Sequence, residues 1–187
     1  MQVIVDLVKQ DPLRVAALDC VYQRQLPQCY VAAGFVRNLV WDWLHQKAQP
    51  TLLSDVDVVY FDQSKVSIAD ETTIEQQLSR QMPQLNWQVK NQARMHLCNG
   101  DHPYQSTLDA MSYWPEYETA VAIRKIAADH YECISAFGFE SLLQGWLTPN
   151  PKRCFETFEK RRVAKRWLDI WPQLRVLQHE RSRESKW

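Results

Sequence analysis

The stretch Ser54–Asp62, "SDVDVVYFD", places two carboxylates two residues apart at the head of an apolar run. The β-branched and aromatic residues of that run predict a strand. Residues i and i+2 of a strand project from the same face, so Asp55 and Asp57 are expected side by side. Like charges in that arrangement repel, and one carboxylate has to hold a proton unless a cation lies between them.

The segment upstream of this strand predicts the ligand that such a cation would help to bind. "CYVAAG" reads as a short strand that ends at Gly34, and "FVRNLVWDWLHQ" has apolar residues at helical spacing. Free backbone N–H groups and the helix dipole at the start of such a helix attract phosphate. Arg37, in the first turn of the helix, can donate hydrogen bonds to a phosphate group. Mg²⁺ prefers carboxylate and phosphate oxygens and assists phosphoryl and nucleotidyl transfer. Together the two segments predict a site for a nucleoside triphosphate and Mg²⁺, with Asp55 and Asp57 as metal ligands.

The remaining elements predict an α/β (α+β) fold with a mixed β-sheet flanked by helices. Asp11 caps a helix to about Gln25, and Ser67 caps one over residues 69–81. "NWQVKNQ" reads as a strand, and residues 119–137 as two strands around Ala128-Asp129, with helix as the alternative for their first half. A helix from Phe155 to Pro172 is expected to turn its basic residues outward and these side chains inward: Phe158, Val163, Trp167, Ile170 and Trp171.

Length and composition indicate one domain, residues 1–187, with N-terminal helices over 1–27, an α/β core over 28–149 and a basic helical segment over 150–187. Residues 150–187 hold 11 Lys/Arg against 5 Asp/Glu, whereas residues 1–149 hold 11 against 17. The five scattered cysteines are typical of reduced thiols in a cytoplasmic protein. We expect no signal peptide and no membrane span.

"AAGFVRNLVWD" followed by "SDVDVVYFD" resembles the glycine and double-aspartate signature of the polymerase-beta-like nucleotidyltransferase superfamily, which includes tRNA CCA-adding enzymes and poly(A) polymerases. The sequence is more similar still to a small bacterial group of nucleotidyltransferase family proteins. That likeness runs from about Tyr30 to Leu174 and includes "WQVKNQARMH", "PYQSTLDAMSYWPEYETAVAIR", "FGFESLL" and "KRWLDIWPQL".

The resemblance implies a nucleotidyltransferase fold in which Gly34 and the following amides hold the triphosphate while Asp55 and Asp57 bind Mg²⁺. Phe35, Arg37 and Asn38 are then expected among the nucleotide-binding residues. Two features depart from the superfamily pattern. Bulky Phe35 stands where a small residue is usual, and "NWQVKNQARMH" contains no acid where a third carboxylate is expected.

Other residues of the sequence are candidates for the third carboxylate or for contacts with the metal and the nucleotide. Asn91 can coordinate a metal but cannot act as a general base. Asp62 and Asp109 are the candidate third carboxylates, although a structural role is the commoner one for each. Lys90 and Arg94 can neutralise phosphates or be solvated cations. Tyr104 and Trp114 can stack on a base, although a place in the core is favoured.

The sequence is compatible with three functions. The leading one is Mg²⁺-dependent transfer of a nucleoside monophosphate from a nucleoside triphosphate, such as ATP, to an unidentified acceptor. The second is a nucleotide- or metal-binding module without transfer chemistry, since the third acid is missing. The third is an RNA- or partner-binding protein that uses Arg161, Arg162, Lys165 and Arg166 of the basic helix.

Overall fold

The computed structural model describes residues 1–177, which form a mixed five-stranded sheet flanked by helices. The helices are α1 (Gln2–Lys9), α2 (Pro12–Tyr22), α3 (Gly34–Leu44), α4 (Ile68–Gln81), α5 (Gln92–Asn99), α6 (Thr107–Met111), α7 (Glu140–Leu143), α8 (Phe155–Ala164) and α9 (Trp167–Ile170). The strands are β1 (Tyr30–Ala32), β2 (Val56–Tyr60), β3 (Trp87–Asn91), β4 (Val121–Ala127), β5 (His130–Ser135), β6 (Trp146–Leu147) and β7 (Arg175–Val176). The predicted fold class is thereby confirmed.

The large sheet has the strand order β3-β2-β1-β4-β5, and only the β2–β3 pair is parallel. Strand β1 pairs with β2 so that Ala32 lies opposite Asp57, and β3 pairs with β2 so that Gln88 lies beside Asp57. Strands β6 and β7 form a separate two-stranded sheet. The hairpin β4–β5 confirms the two predicted strands and rules out the helical alternative for residues 121–127.

The two faces of the sheet differ in how fully they are covered. On one face Val31 and Val58 belong to a large core with residues of α1 to α4. On the other face Ala32 and Val59 belong to a small cluster built largely of alanines and Met111. Because partners in a ladder point to the same side, Asp57 projects from this second, less covered face. Small side chains there leave room for a cleft.

The predicted C-terminal helix is broken in two. Arg166 has a left-handed conformation, φ 52°, and separates α8 from α9. Phe158, Trp167 and Trp171 are buried as expected, but Val163 is 65% exposed, so its predicted inward position is wrong. Trp167 and Trp171 meet Trp41 of α3 edge-on, with ring centroids 5.9 and 5.0 Å away. The break brings both rings against α3 and lays α8 beside the open face of the sheet. The last ten residues of the predicted basic segment, 178–187, lie outside the described residues.

Candidate active site

A cleft of about 980 Å³ opens on the less covered face of the sheet, between the ends of β2 and β3 and the helices α8 and α9. Six of the residues predicted for the site line this cleft: Gly34, Arg37, Asn38, Asp55, Asp57 and Lys90. The glycine turn and the pair of aspartates thus lie in one cleft.

The two carboxylates sit at the start of β2 in different surroundings. Asp55 precedes the strand and accepts a 3.0 Å hydrogen bond from the Ser54 hydroxyl. The pKa of Asp57 is raised to about 6, first by burial and second by the negative charge of Asp55. Arg37, Lys165 and Arg161 oppose that rise in pKa. The pair therefore stores electrostatic repulsion that a cation would relieve.

The turn before α3 carries backbone strain at one residue and open space at the next. Ala33 has φ 54° and ψ −120°, a combination that residues with a side chain rarely adopt and that costs roughly 1–3 kcal/mol. Gly34 has no such φ, and a Cβ placed on it would meet only ordinary contacts, at 3.5 Å from Asn38 Nδ2 and 3.6 Å from Arg37 Nη2. Neither the backbone conformation nor the packing requires glycine at position 34. The effect of glycine there is instead to leave space free in the cleft.

Two amides at this turn also lack partners. The N–H groups of Val36 and Arg37 donate to the Ala33 carbonyl. Within residues 1–177, the N–H groups of Gly34 and Phe35 make no backbone hydrogen bond. Free amides at the start of an 11-residue helix form an anion-binding arrangement.

Arg37 lies beneath this turn as a buried cation. Its Nη1 donates to Thr119 Oγ1 at 2.7 Å and its Nη2 to Asn38 Oδ1 at 3.2 Å. The guanidinium also stacks against Trp41 and Trp167, 5.1 and 4.7 Å from the ring centroids. Burial lowers the pKa of Arg37 to about 10, with Glu116 the strongest opposing charge. Arg37 is therefore still protonated at neutral pH and supplies positive charge to the cleft from a fixed position.

Strand β3 contributes an amide and a cation to the cleft, and no acid. Gln88 is in register with Asp57, and Lys90 lies two residues further along the same face. Within residues 1–177 no group of three or more His, Cys, Asp or Glu side chains is arranged to hold a metal ion. Gln88 was missed by sequence reasoning, because the parallel register that sets it beside Asp57 has no local sequence signal.

Four predicted site residues have side chains that do not line the cleft, and each of these side chains has a structural role. The Phe35 ring is buried in the core, so its bulk does not obstruct the phosphate turn. Asn91 is fully buried and its amide donates to the carbonyls of Asp62 and Lys65, each at 2.7 Å. It therefore fixes the loop after β2 and has no freedom to coordinate a metal.

The other two are held by their own neighbours. Arg94 makes two hydrogen bonds to the buried Glu71 carboxylate. Asp109 accepts a 2.9 Å hydrogen bond from the Gln105 amide at the start of α6. Asp62, the other candidate third carboxylate, accepts hydrogen bonds from Ser64 as a turn residue. None of these three lines the cleft, so none supplies the third acid.

Helix α8 supplies cleft residues where solvated cations were expected. Arg161 and Lys165 line the cleft. Arg161 also donates to both oxygens of Glu116, a residue with no exposed surface. The expectation that all basic residues of this segment point outward is therefore wrong for Arg161. Trp114 also lines the cleft, whereas Tyr104 is buried in a small core cluster, as favoured for it.

Comparison with known proteins assigns the chain to a family. A family model described as nucleotidyltransferase matches residues 19–176. An NMR structure described as revealing a CCA-adding enzyme head domain is 30% identical in sequence, with a TM-score of 0.83 over 96% of each chain. The protein belongs to the nucleotidyltransferase family, and its fold is that of a nucleotidyltransferase head domain.

More distant structures share the fold. A CCA-adding enzyme in complex with CTP is 14% identical with a TM-score of 0.61, and a tRNA-processing enzyme in an apo form is 16% identical with a TM-score of 0.54. The chain aligns over 95% and 87% of its own length with these two, but spans only 43% and 45% of theirs. A comparison with curated protein sequences gives no match. Within residues 1–177 no helix combines the length and apolarity needed to cross a bilayer.

Proposed function

We propose that the protein transfers a nucleoside monophosphate from a nucleoside triphosphate to an acceptor hydroxyl, with Asp55 and Asp57 holding Mg²⁺. The observation that carries this proposal is the meeting of the two carboxylates with the Gly34 turn in one cleft. Pyrophosphate is the expected leaving group. The acceptor is left open, because the cleft residues indicate phosphate and metal chemistry and no particular acceptor.

The donor set fits a hard divalent cation. The side chains at this point offer oxygen ligands: the Asp55 and Asp57 carboxylates and, on the neighbouring strand, the Gln88 amide. Oxygen donors of this kind suit Mg²⁺. When bound, the ion supplies Lewis-acid stabilisation of charge on the phosphates.

The other cleft residues bind and orient the nucleotide. The free amides of Gly34 and Phe35 would donate to phosphate oxygens, and the missing side chain at Gly34 lets the triphosphate approach the backbone. Arg37 and Lys90 would place positive charge near the phosphates, at sites set by Thr119 and by strand β3. Trp114, at the cleft wall, would stack on the base.

A second candidate function is nucleotide and metal binding without efficient transfer. The specific observation in its favour is Gln88, which stands in register with Asp57 where a carboxylate would be needed to accept the acceptor's proton. The RNA-binding alternative gains less support, because Lys160, Arg162 and Arg166 are paired with carboxylates of the same segment.

Nucleotide titration with and without Mg²⁺ tests the proposal. Amide resonances of Gly34 and Phe35 should shift with each of ATP, CTP, GTP or UTP that binds, and Mg²⁺ should tighten binding. Asp55→Asn with Asp57→Asn should lose the Mg²⁺ dependence. Pyrophosphate release across a panel of hydroxyl-bearing acceptors separates transfer from binding alone. If no triphosphate shifts these resonances or raises the melting temperature, the proposal is wrong.

A further inference from the structure

The face of α8 that looks into the cleft carries Arg161, and Lys165, the residue that follows the helix, lies one turn further on. Arg161 and Lys165 are at i and i+4, so they lie on the same side of the helix. Both line the cleft that holds Asp55 and Asp57. Five cationic side chains line that cleft, and three of them are paired with carboxylates within 4.0 Å: Lys90 with Glu71, Arg153 with Asp101 and Arg161 with Glu116. Within residues 1–177 the other two, Arg37 and Lys165, have no carboxylate within 4.0 Å, so their charge is available to a negatively charged ligand.

The other cations of α8 and α9 are neutralised on the outside. Lys160 pairs with Glu156 at 2.8 Å, Arg162 with Glu159 at 2.7 Å and Arg166 with Asp169 at 2.9 Å. Lys165 has no carboxylate within 4.0 Å among residues 1–177. Among the five cations between Lys160 and Arg166, Lys165 alone has no carboxylate partner within residues 1–177, and its charge faces the cleft.

Arg161 is held in place from beneath. Its Nε donates to Glu116 Oε1 at 2.7 Å and its Nη2 to Oε2 at 3.3 Å. Glu116 has no exposed surface, whereas about a third of the Arg161 side chain is exposed. A guanidinium has five N–H groups, and this pairing uses two of them. The remaining N–H groups, on Nη1 and Nη2, are free to donate to a ligand in the cleft.

We propose that Arg161 and Lys165 bind the terminal phosphates of the nucleoside triphosphate, which leave as pyrophosphate, and that buried Glu116 is a positioning residue for Arg161. This inference rests on the proposed function and names the part of the site that recognises the triphosphate chain. It predicts that α8 distinguishes nucleoside triphosphates from monophosphates, whereas the Gly34 turn contributes to the binding of both.

The test uses the full chain, Mg²⁺ and three probes: inorganic pyrophosphate, the tightest-binding nucleoside triphosphate and its monophosphate. Lys165→Gln should weaken pyrophosphate and triphosphate binding about three- to tenfold and leave monophosphate binding within about twofold. Lys160→Gln, a change on the outer side of the same helix, is the matched control and should leave all three affinities unchanged.

Arg161 is tested with its partner changed as well, because removing Arg161 alone would leave Glu116 buried and unpaired. Glu116→Gln with Arg161→Gln removes one positive and one negative charge, so the net charge of the site is unchanged. A direct contact between Arg161 and phosphate predicts about a tenfold loss of pyrophosphate and triphosphate affinity. A purely structural ion pair predicts no such selective loss.

The outcomes separate this inference from the proposed function. Triphosphate binding that is as tight in Lys165→Gln and in the double variant as in the wild type overturns the inference and leaves the proposed function intact. Equal losses for monophosphate and triphosphate also overturn it. Pyrophosphate binding that depends on Lys165 and Arg161, without any triphosphate binding, supports the anion site and contradicts the proposed function.

Discussion

Asp57→Asn should stabilise the metal-free protein at neutral pH. The pKa of Asp57 is raised from its ordinary value of 3.8 to about 6, mainly by burial and next by Asp55. Above pH 6 the folded protein therefore carries an ionised carboxylate in a place that disfavours it. Asparagine has nearly the same shape and no charge, and within residues 1–177 the Asp57 carboxylate accepts no hydrogen bond that asparagine would lose.

The size and pH range of the effect follow from that pKa. At about 1.4 kcal/mol for each pH unit, the difference between 3.8 and about 6 corresponds to about 3 kcal/mol, an upper limit because Asp57 retains some exposure to solvent. The folded state binds the extra proton between pH 4 and pH 6, so the contribution of Asp57 to stability falls as pH rises through this range. The advantage of Asp57→Asn should be about 1–3 kcal/mol at pH 8 and near zero below pH 4.

Urea unfolding of wild type and Asp57→Asn in EDTA, from pH 4 to pH 8, measures this difference. Asp62→Asn is the control of opposite sign, because hydrogen bonds from Ser64 lower the pKa of Asp62. That variant should be less stable than the wild type at neutral pH, and its deficit should shrink as pH falls. Adding Mg²⁺ should stabilise the wild type and have little effect on Asp57→Asn. A stability difference for Asp57→Asn that does not change with pH would refute the reasoning.

Four further variants test other parts of the account. Ala33→Gly should raise the free energy of unfolding by about 1 kcal/mol, measured with urea, since glycine relieves the positive φ. Gly34→Ala should leave the melting temperature within a few degrees and weaken triphosphate binding at least about tenfold, since the new methyl group enters only cleft space. Glu71→Gln should cost about 2–4 kcal/mol of stability, because the buried Glu71 carboxylate accepts hydrogen bonds from the Arg94 guanidinium and from the backbone N–H of Asn91. Gln88→Asp should increase pyrophosphate release if the missing third carboxylate limits transfer, and unchanged release would show that it does not.

The sequence was most informative where local pattern determines local structure. Asp11 and Ser67 cap α2 and α4 as predicted, and their side chains accept hydrogen bonds from the backbone N–H groups of Arg14 and Ala69. The valine-rich run after Asp55 forms β2, and the glycine segment forms the start of α3. Because these two segments each carry their own signal, their meeting at one cleft could be anticipated.

Features that depend on tertiary contacts could not be read from the sequence. The strained residue of the phosphate turn is Ala33, and an alanine in the sequence gives no sign of a positive φ. Val163 fits the apolar helical pattern and is nevertheless exposed, because the chain turns at Arg166 to bring Trp167 and Trp171 to Trp41. The sequence predicts Arg161 to be a surface cation, because its buried partner Glu116 lies 45 residues earlier and no local pattern indicates the pairing.

Asn91 and Gln88 show the same limit within a single strand. Both are amides of "WQVKN", and only Asn91 is identified from the sequence as a residue that can coordinate a metal. The alternation of faces along β3 instead buries Asn91 under the β2–α4 loop and sets Gln88 beside Asp57. The choice between them depends on the parallel register, which is fixed only when the strands pair.

The most direct test of the central claim follows the α-phosphorus of the nucleotide. The protein is incubated with Mg²⁺, candidate acceptors and a triphosphate labelled either at the α or at the γ position, in parallel with Asp57→Asn. The account predicts that α-label enters the acceptor, that γ-label is released in pyrophosphate, and that Asp57→Asn abolishes both. Transfer of γ-label to the acceptor, or α-label transfer that survives Asp57→Asn, would contradict it.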